Sequence, residues 1–316
     1  MRRALLIGIN YVGTSSQLYG CINDINNVGS YLYNTRQYNS FIVLTDNTRV
    51  KPTKANILQA FNVLFTDIKA GDELWFHYSG HGSLSRDTNR DEESGFDSCI
   101  CPLDYQRSGY ISDDVIRQML AQRVPKGVKL YIVLDACHSG TGCDLRYKYD
   151  DNSYLTNKPA SASASAFAPL PEKYIPTDWS LKQTSYEFKK YSKTNGEVYS
   201  ISGCQDEQTS ADAFIEGQAT GALTFILLSC LLSNSPANYK WKHLLKDICC
   251  NEKIRGFTQK TCITSGTPLN LDNNVFSISG TQIPTRNITS TSNTIIASSP
   301  RSSHSNHILS KIILTN

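Results

Sequence analysis

The strongest constraint on the fold is a set of short, nearly uninterrupted apolar runs: Ala4 to Ile9, Phe41 to Leu44, Leu74 to Tyr78 and Leu130 to Leu134. They are too short for typical helices, and they do not alternate apolar with polar residues as a strand with one wet face must. Such runs read as strands buried on both faces. Between them lie helical patterns. Thr53 follows Pro52 and can cap a helix through Ile68, in which Ile57, Phe61, Leu64, Phe65 and Ile68 keep a 3.6-residue period. Ser112 precedes Asp113 and Asp114, and acids are favoured in a helix's first turn by the dipole, so a second helix is expected there. Strands alternating with helices predict an α/β fold with a mostly parallel central sheet flanked by helices.

From about Leu145 to Asn195 the pattern dissolves into Lys, Ser, Tyr and Pro, including the alternating Ala-Ser stretch from Ala160 to Ala166, which offers no face to pack. Regularity returns with a strand at Val198 to Ile201, helices around Gly221 to Leu232 and Trp241 to Ile254, and a last strand expected near Val275 to Ile278. The expected division is a large region at 1–144, a flexible linker at 145–196, a small region at 197–280 completing the same domain, and a poorly ordered Ser/Thr/Asn-rich tail at 281–316.

Composition removes several functions. With 31 Lys plus Arg against 28 Asp plus Glu, the formal charge is only +3, so nucleic acid is not an expected partner. Ala4 to Ile9 is too short for a signal-peptide core, and Gly221 to Leu232 falls below the roughly 18 apolar residues that suggest a bilayer span. No membrane partner is expected. Ten cysteines scattered through a long chain favour reduced thiols, most of them in the core, and a cytoplasmic setting.

Two strand ends carry unusual sequences. Leu74 to Tyr78 runs into Ser79-Gly80-His81-Gly82, and Leu130 to Leu134 runs into Asp135-Ala136-Cys137-His138-Ser139-Gly140. Each is an apolar strand ending in a small-residue turn that displays one reactive side chain. Open α/β sheets place their sites at the carboxyl ends of parallel strands, so His81 and Cys137 can share one cleft. A thiol with an ordinary pKa of about 8.5 is mostly protonated at neutral pH, and a nearby imidazole can activate it and later protonate a leaving amine. The backbone N–H groups of Gly82 and Cys137 are candidate oxyanion donors. Singly, a Cys after a buried strand is more often an inert core thiol, and a His in a turn is usually only a turn residue. Together, each flanked by glycine at a strand end, they are far more specific. His138 is the poorer base, because neighbouring side chains on an extended strand point to opposite faces.

These residues resemble the metacaspases, which carry Ser-Gly-His-Gly after one strand and Asp-x-Cys-His-Ser-Gly after another. The likeness extends through Ala4 to Tyr11, Gly20 to Asp24, Gly109 to Asp114 and Ile201 to Asp212. It implies a caspase-haemoglobinase fold and a cysteine endopeptidase of the type I kind, with Cys137 as nucleophile and His81 as acid/base. Because the likeness begins almost at residue 1, no N-terminal prodomain is expected. Ala136 stands where the family often has a second Cys.

The resemblance further places Asp24, Ser79 and Asp135 around the S1 pocket, with Cys21 lining it. Two carboxylates there attract a long basic side chain and repel an acidic one, so cleavage after Arg or Lys is expected. The plainer alternative is that Asp24 caps a helix and Asp135 bonds backbone at a turn. Asp97, Asp113, Asp114 and Asp144 match the positions where metacaspases bind calcium, and hard oxygen ligands suit Ca2+. Here the alternative is helix capping and a solvated acidic surface. The linker offers Arg146, Lys148, Lys158, Lys173, Lys182, Lys189, Lys190 and Lys193 as self-cleavage points. The partners expected are protein or peptide substrates with a basic P1 residue, and the resemblance implies a monomer. The competing readings are a non-enzymatic caspase-fold scaffold, or a same-fold protease with another P1 preference.

Overall fold

The structure is a computed structural model that describes residues 1–87, 95–136, 143–151, 183–188, 190–191, 193–204, 213–215, 218–235, 238–255, 257 and 260–276. The first half runs β1 (Arg2–Gly8), α1 (Cys21–Asn34), β2 (Ser40–Thr45), α2 (Lys54–Leu64), β3 (Glu73–Ser79), β4 (Gly82–Arg86), β5 (Phe96–Ile100), the single turn α3 (Tyr105–Ser108), β6 (Ile111–Ser112), α4 (Asp113–Met119) and β7 (Lys129–Asp135). The second adds β8 (Tyr147–Asp151), β9 (Gln183–Glu187), β10 (Glu197–Cys204), β11 (Ala213–Ile215), β12 (Gln218–Thr220), α5 (Ala222–Ser233), α6 (Trp241–Ile254) and β13 (Lys260–Ser265).

The four apolar runs become β1, β2, β3 and β7 of one eight-stranded sheet, ordered β2-β1-β3-β7-β10-β13-β8-β9. The first five are mutually parallel, and the remaining pairings are antiparallel. Two smaller sheets, β4-β5-β6 and β11-β12, stand apart from it. Strands of the main sheet thus come from both sides of the long segment after β7.

Alternation along the strands explains why these runs are apolar throughout. Leu5, Ile7, Phe76, Tyr78 and Ile132 pack with Ile57, Phe61 and Leu64 of α2 and Ile116 of α4. Their neighbours Ala4, Leu6, Trp75, Tyr131 and Val133 pack on the other side with Ile25 and Val28 of α1, Leu223 and Leu227 of α5, and Leu244 and Ile248 of α6. Each inner strand is therefore covered on both faces by helices. Cys21, Cys99, Cys101, Cys143, Cys230, Cys249 and Cys262 are buried and Cys250 is half-buried, none of them in a disulfide.

The expected N-caps form: Thr53 accepts from Asn56 N–H at 3.3 Å and Ser112 from Val115 N–H at 3.4 Å. Three expectations need correction. Helix α2 stops at Leu64 rather than Ile68, since the chain then turns and Asp67 takes a left-handed φ of 57°. The last strand is β13, not Val275 to Ile278. Val275 and Phe276 are buried without forming a strand, and the Phe276 ring packs on Trp75 and Tyr131, while 277–278 lie outside the described residues.

The span assigned wholly to a flexible linker contains β8 and β9, paired antiparallel with Tyr147 opposite Glu187. The Tyr-Lys-Tyr-Asp alternation of β8 is that of a strand with unlike faces, which a search for continuous apolar runs passes over. Residues 152–182 and the tail 281–316 lie outside the described residues. Among the described residues no helix is long and apolar enough to cross a membrane.

Candidate active site

Strands β3 and β7 lie parallel with Ser79 opposite Asp135, and the Gly80 N–H donates to the Asp135 carbonyl at 3.3 Å. The two strand-end turns therefore leave the sheet side by side. His81 follows Ser79 by two residues, as Cys137 follows Asp135. Cys137 and His138 lie outside the described residues, and with them the expected pairing of Cys137 to His81 and the backbone role of Cys137. Gly82, the other expected oxyanion donor, opens β4 opposite Ile100.

His81 is held from three directions. Its Nε2 lies 2.8 Å from the Ser16 carbonyl, which can only accept, so Nε2 carries the proton and Nδ1 is left as the basic nitrogen. Its main-chain N–H donates to the Tyr11 hydroxyl at 3.1 Å, and its carbonyl accepts from the Tyr78 hydroxyl at 2.7 Å. The Tyr11 ring sits 4.7 Å from the imidazole, and the Tyr11 hydroxyl donates to the Cys101 carbonyl at 2.6 Å. Space for this is made by Gly80, where a Cβ would approach the Tyr78 oxygen to 2.6 Å. Sequence reasoning assigned no role to Tyr11 and Tyr78. The available signal was a tyrosine at or just beyond the end of two apolar runs, whose hydroxyl needs a partner when buried.

The expected S1 acids meet. Asp24 comes from the first turn of α1 and Asp135 from the end of β7, and both are buried. Asp24 accepts from Ser79 Oγ at 2.6 Å, from Thr220 Oγ1 at 2.5 Å, and from Gly221 N–H at 3.0 Å to each oxygen. Asp135 accepts from Thr224 N–H at 2.8 Å. The plainer alternative holds in altered form: Asp24 bonds the amide of Gly221, the N-cap residue of α5, and Asp135 bonds an amide in the first turn of that helix rather than in a turn of its own. Gly221 lies between them, and a Cβ there would come within 2.3 Å of one Asp135 oxygen and 2.8 Å of one Asp24 oxygen.

Burial, and then the neighbouring Asp135 charge, push the Asp24 carboxyl up to about 7, against the hydrogen bonds from Ser79, Thr220 and Gly221. Asp135 is likewise pushed up by burial, opposed by bonds from Thr224 and Leu223. Two buried acids facing each other would be relieved by a cation. Cys21 is buried at the first position of α1, one turn before Asp24. Sequence reasoning missed Thr220, Gly221 and Thr224. Thr-Gly before an apolar helix signals a helix start, but nothing local ties it to an aspartate 196 positions earlier.

In the second acidic group Asp97, Asp113 and Asp144 are buried, and Asp114 is partly exposed in the first turn of α4. Asp113 accepts from Ser98 N–H at 2.9 Å and Asp114 N–H at 3.0 Å. Burial, the Asp144 charge and, more weakly, the Asp97 charge push it up to about 8. Asp144 accepts from the Tyr191 hydroxyl at 2.9 Å. Among the described residues no three His, Cys, Asp or Glu side chains are already arranged to hold a metal ion. The donor chemistry still fits Ca2+, because mutually repelling, buried carboxylates are hard oxygen ligands that gain from a divalent charge.

Two expected processing points are not in loose chain. Arg146 pairs with Glu187 at 2.9 Å and bonds the Tyr191 carbonyl at 3.1 Å, and Lys148 pairs with Asp150 at 3.5 Å within β8. Lys190 and Lys193 lie over the rings of Tyr191 and Tyr147. Lys158, Lys173, Lys182 and Lys189 fall outside the described residues.

The chain is 38% identical over 289 residues to Metacaspase-1A of Aspergillus oryzae, covering 85% of this chain and 68% of that protein. It is 37% identical over 290 residues to Metacaspase-1 of Botryotinia fuckeliana, with the same coverage of each. Among solved structures, protein GSU0716 from Geobacter sulfurreducens matches 88% of this chain and 98% of its own at a TM-score of 0.55 and 21% identity, a likeness of fold alone. The family model of the metacaspase, peptidase C14 domain, matches residues 2–146. With the paired strand ends and the buried acids beside them, these matches make the chain a member of the metacaspase family of cysteine peptidases.

Proposed function

We propose that this cysteine peptidase is an endopeptidase that cuts after Arg or Lys and is stimulated by calcium. The observation that carries the basic preference is the facing of Asp24 and Asp135, two buried carboxyls each raised in pKa. A guanidinium or ammonium would satisfy both, whereas an acidic side chain would add a third like charge. In the proposed reaction the Cys137 thiolate attacks the scissile carbonyl after giving its proton to His81 Nδ1. The oxyanion is held by the N–H groups of Gly82 and Cys137, His81 protonates the leaving amine, and water then resolves the thioester. The fixed tautomer of His81 supports this assignment of the base. Asp97, Asp113, Asp114 and Asp144 would hold Ca2+, whose charge would offset their repulsion.

The test is fluorophore release from Arg-, Lys- and Asp-ended peptides by purified wild type and Cys137→Ala, each with millimolar calcium and with chelator. Release from the basic peptides only, by wild type only and with calcium, is the expected result. Faster cleavage of Asp-ended peptides would overturn the basic pocket, and activity indifferent to chelator would overturn the calcium role.

A further inference from the structure

Strand β4 starts at Gly82, one residue after His81, and is the outer strand of the small sheet β4-β5-β6, paired with β5 alone among the described residues. Which of its main-chain groups face outward follows from the register. The Cys101 N–H donates to the His81 carbonyl at 3.1 Å and the Asp87 N–H to the Gly95 carbonyl at 3.0 Å. Bonded pairs therefore recur at Ser83 with Cys99 and at Ser85 with Asp97, and the N–H and C=O groups of Gly82, Leu84 and Arg86 point away from β5. The Ser98 N–H, opposite Leu84, likewise turns away from β4 and donates to Asp113 at 2.9 Å. The Leu84 carbonyl accepts from the neighbouring Ser83 hydroxyl at 3.5 Å, long for a bond between oxygens.

The layers of the fold limit how a substrate can approach this edge. Asp24 and Asp135 bond amides at the start of α5, on the side of the main sheet that α1 and α5 cover. Ile100 and Ile111 of the small sheet pack instead with Ile57 of α2 and Ile116 of α4, on the opposite side. A peptide whose basic side chain reaches Asp24 and Asp135, with its scissile bond at His81 and Gly82, therefore continues after that bond toward β4. Leu84 and Phe96 are 45% and 50% exposed there. Leu84 lies opposite Ser98 and Phe96 opposite Arg86, which puts both on one face of the small sheet.

We propose that the free edge of β4 is the subsite for the substrate residues on the leaving side of the cut, which add to the small sheet as a parallel strand. The inference rests on the proposed roles of His81 and Gly82. The oxyanion fixes the register: once the Gly82 N–H holds the P1 carbonyl, a parallel ladder has the Gly82 carbonyl accept from the P2′ N–H and the Leu84 N–H donate to the P2′ carbonyl. The P3′ side chain then lies beside Leu84, on the face shared with Phe96, where an apolar residue covers exposed apolar surface. Main-chain bonds hold P2′ whatever its side chain, proline excepted because it has no N–H.

The experiment compares kcat/KM for internally quenched peptides with Arg at P1, in millimolar calcium. N-methylation at P2′ should lower kcat/KM about tenfold, the scale of a bond lost with its carbonyl left unpaired, and N-methylation at P3′, whose N–H faces away from β4, should change it by no more than about twofold. Leu at P3′ should be preferred over Ser about fivefold by wild type and less than about twofold by Leu84→Ser, a ratio that does not depend on how much of the variant is folded. Equal effects of the two methyl groups, a larger effect at P3′, or an unchanged Leu preference in Leu84→Ser would overturn the proposal. The methylated peptides need no variant, so they decide even where Leu84→Ser does not fold. A wild type that sediments as a dimer, a Leu84→Ser monomer and no effect of P2′ methylation would assign the edge to a second copy of the chain and overturn the substrate role. Absence of cleavage at Arg in every peptide would remove the underlying endopeptidase reading, whereas cleavage of an Arg-ended fluorogenic peptide with no response at P2′ would remove the β4 subsite alone.

Discussion

Gly221 donates its backbone N–H to both oxygens of Asp24, at 3.0 Å each, across 197 positions of sequence. The start of helix α5 thereby closes over an acid supplied by α1 and another supplied by β7. No side chain fits at Gly221, because its Cβ would collide with both carboxylates. Gly221→Ala should cut kcat/KM for Arg-ended peptides by about two orders of magnitude and lower the melting temperature by several degrees, since overpacking a buried site costs about 1–3 kcal/mol. Steady-state kinetics and calorimetry would check both.

The raised Asp24 carboxyl makes stability and binding depend on pH in opposite ways. Its folded pKa of about 7 lies above the unfolded value, so its contribution to stability is full below the unfolded pKa and is lost as pH rises through about 7. Thermal denaturation from pH 4 to 8 should therefore show Asp24→Asn with a flatter profile than wild type. A basic ligand needs the ionised form, so KM for Arg peptides should rise as pH falls below 7, with a proton released on binding. Calorimetry in buffers of different ionisation heat would detect that proton.

Tyr11 and Tyr78 bond the main chain of His81 from its amide and carbonyl sides. Tyr11→Phe and Tyr78→Phe each remove several bonds, to the main chain of His81 and of Cys101 and between the two hydroxyls, each worth about 1 kcal/mol. Under the proposed roles each should lower kcat roughly fivefold or more while changing KM little, because these bonds hold His81 and not Asp24 or Asp135.

Arg36 and Glu73 form a buried ion pair at 3.0 Å, with Tyr38 donating to Glu73 at 3.0 Å and the guanidinium over the Phe276 ring at 4.3 Å. Glu73→Ala leaves a buried cation without its partner and should cost about 3–5 kcal/mol. Urea denaturation should show this as a lower midpoint, without a change in P1 preference in the protein that remains folded.

Asp113, raised to about 8, must give up its proton to bind a metal. The calcium concentration for half-maximal activity should therefore rise as pH falls from 8 to 6. Asp113→Asn should need more calcium at every pH, as titration of peptidase activity against free calcium would show.

The central strands were legible because burial on both faces forces continuous apolar runs, and the place of His81 just past the end of β3 because it interrupts a small-residue turn, whereas Cys137 lies outside the described residues. The paired acids were legible only through the family resemblance. Thr220, Gly221 and Thr224 were not legible, since their partners lie far away in sequence and each residue is locally no more than a helix start. Strands β8 and β13 escaped for another reason: Tyr-Lys-Tyr-Asp and Lys-Thr-Cys-Ile-Thr-Ser carry too few aliphatics to stand out, though Thr261 and Thr264 are as buried as the aliphatic neighbours.

Strand β13 is bonded on one side to β10 and on the other to β8. From Ile263 to Ser265 its backbone is bonded on both flanks, so that stretch presents no template along which another chain could add a strand. That protection comes from β8, the next strand after β7 in the chain, in the span bearing many basic residues. A cut there that released β8 and β9 would uncover a row of unpaired amides. Cleavage taken that far would move the edge of the sheet inward from β9 to β13.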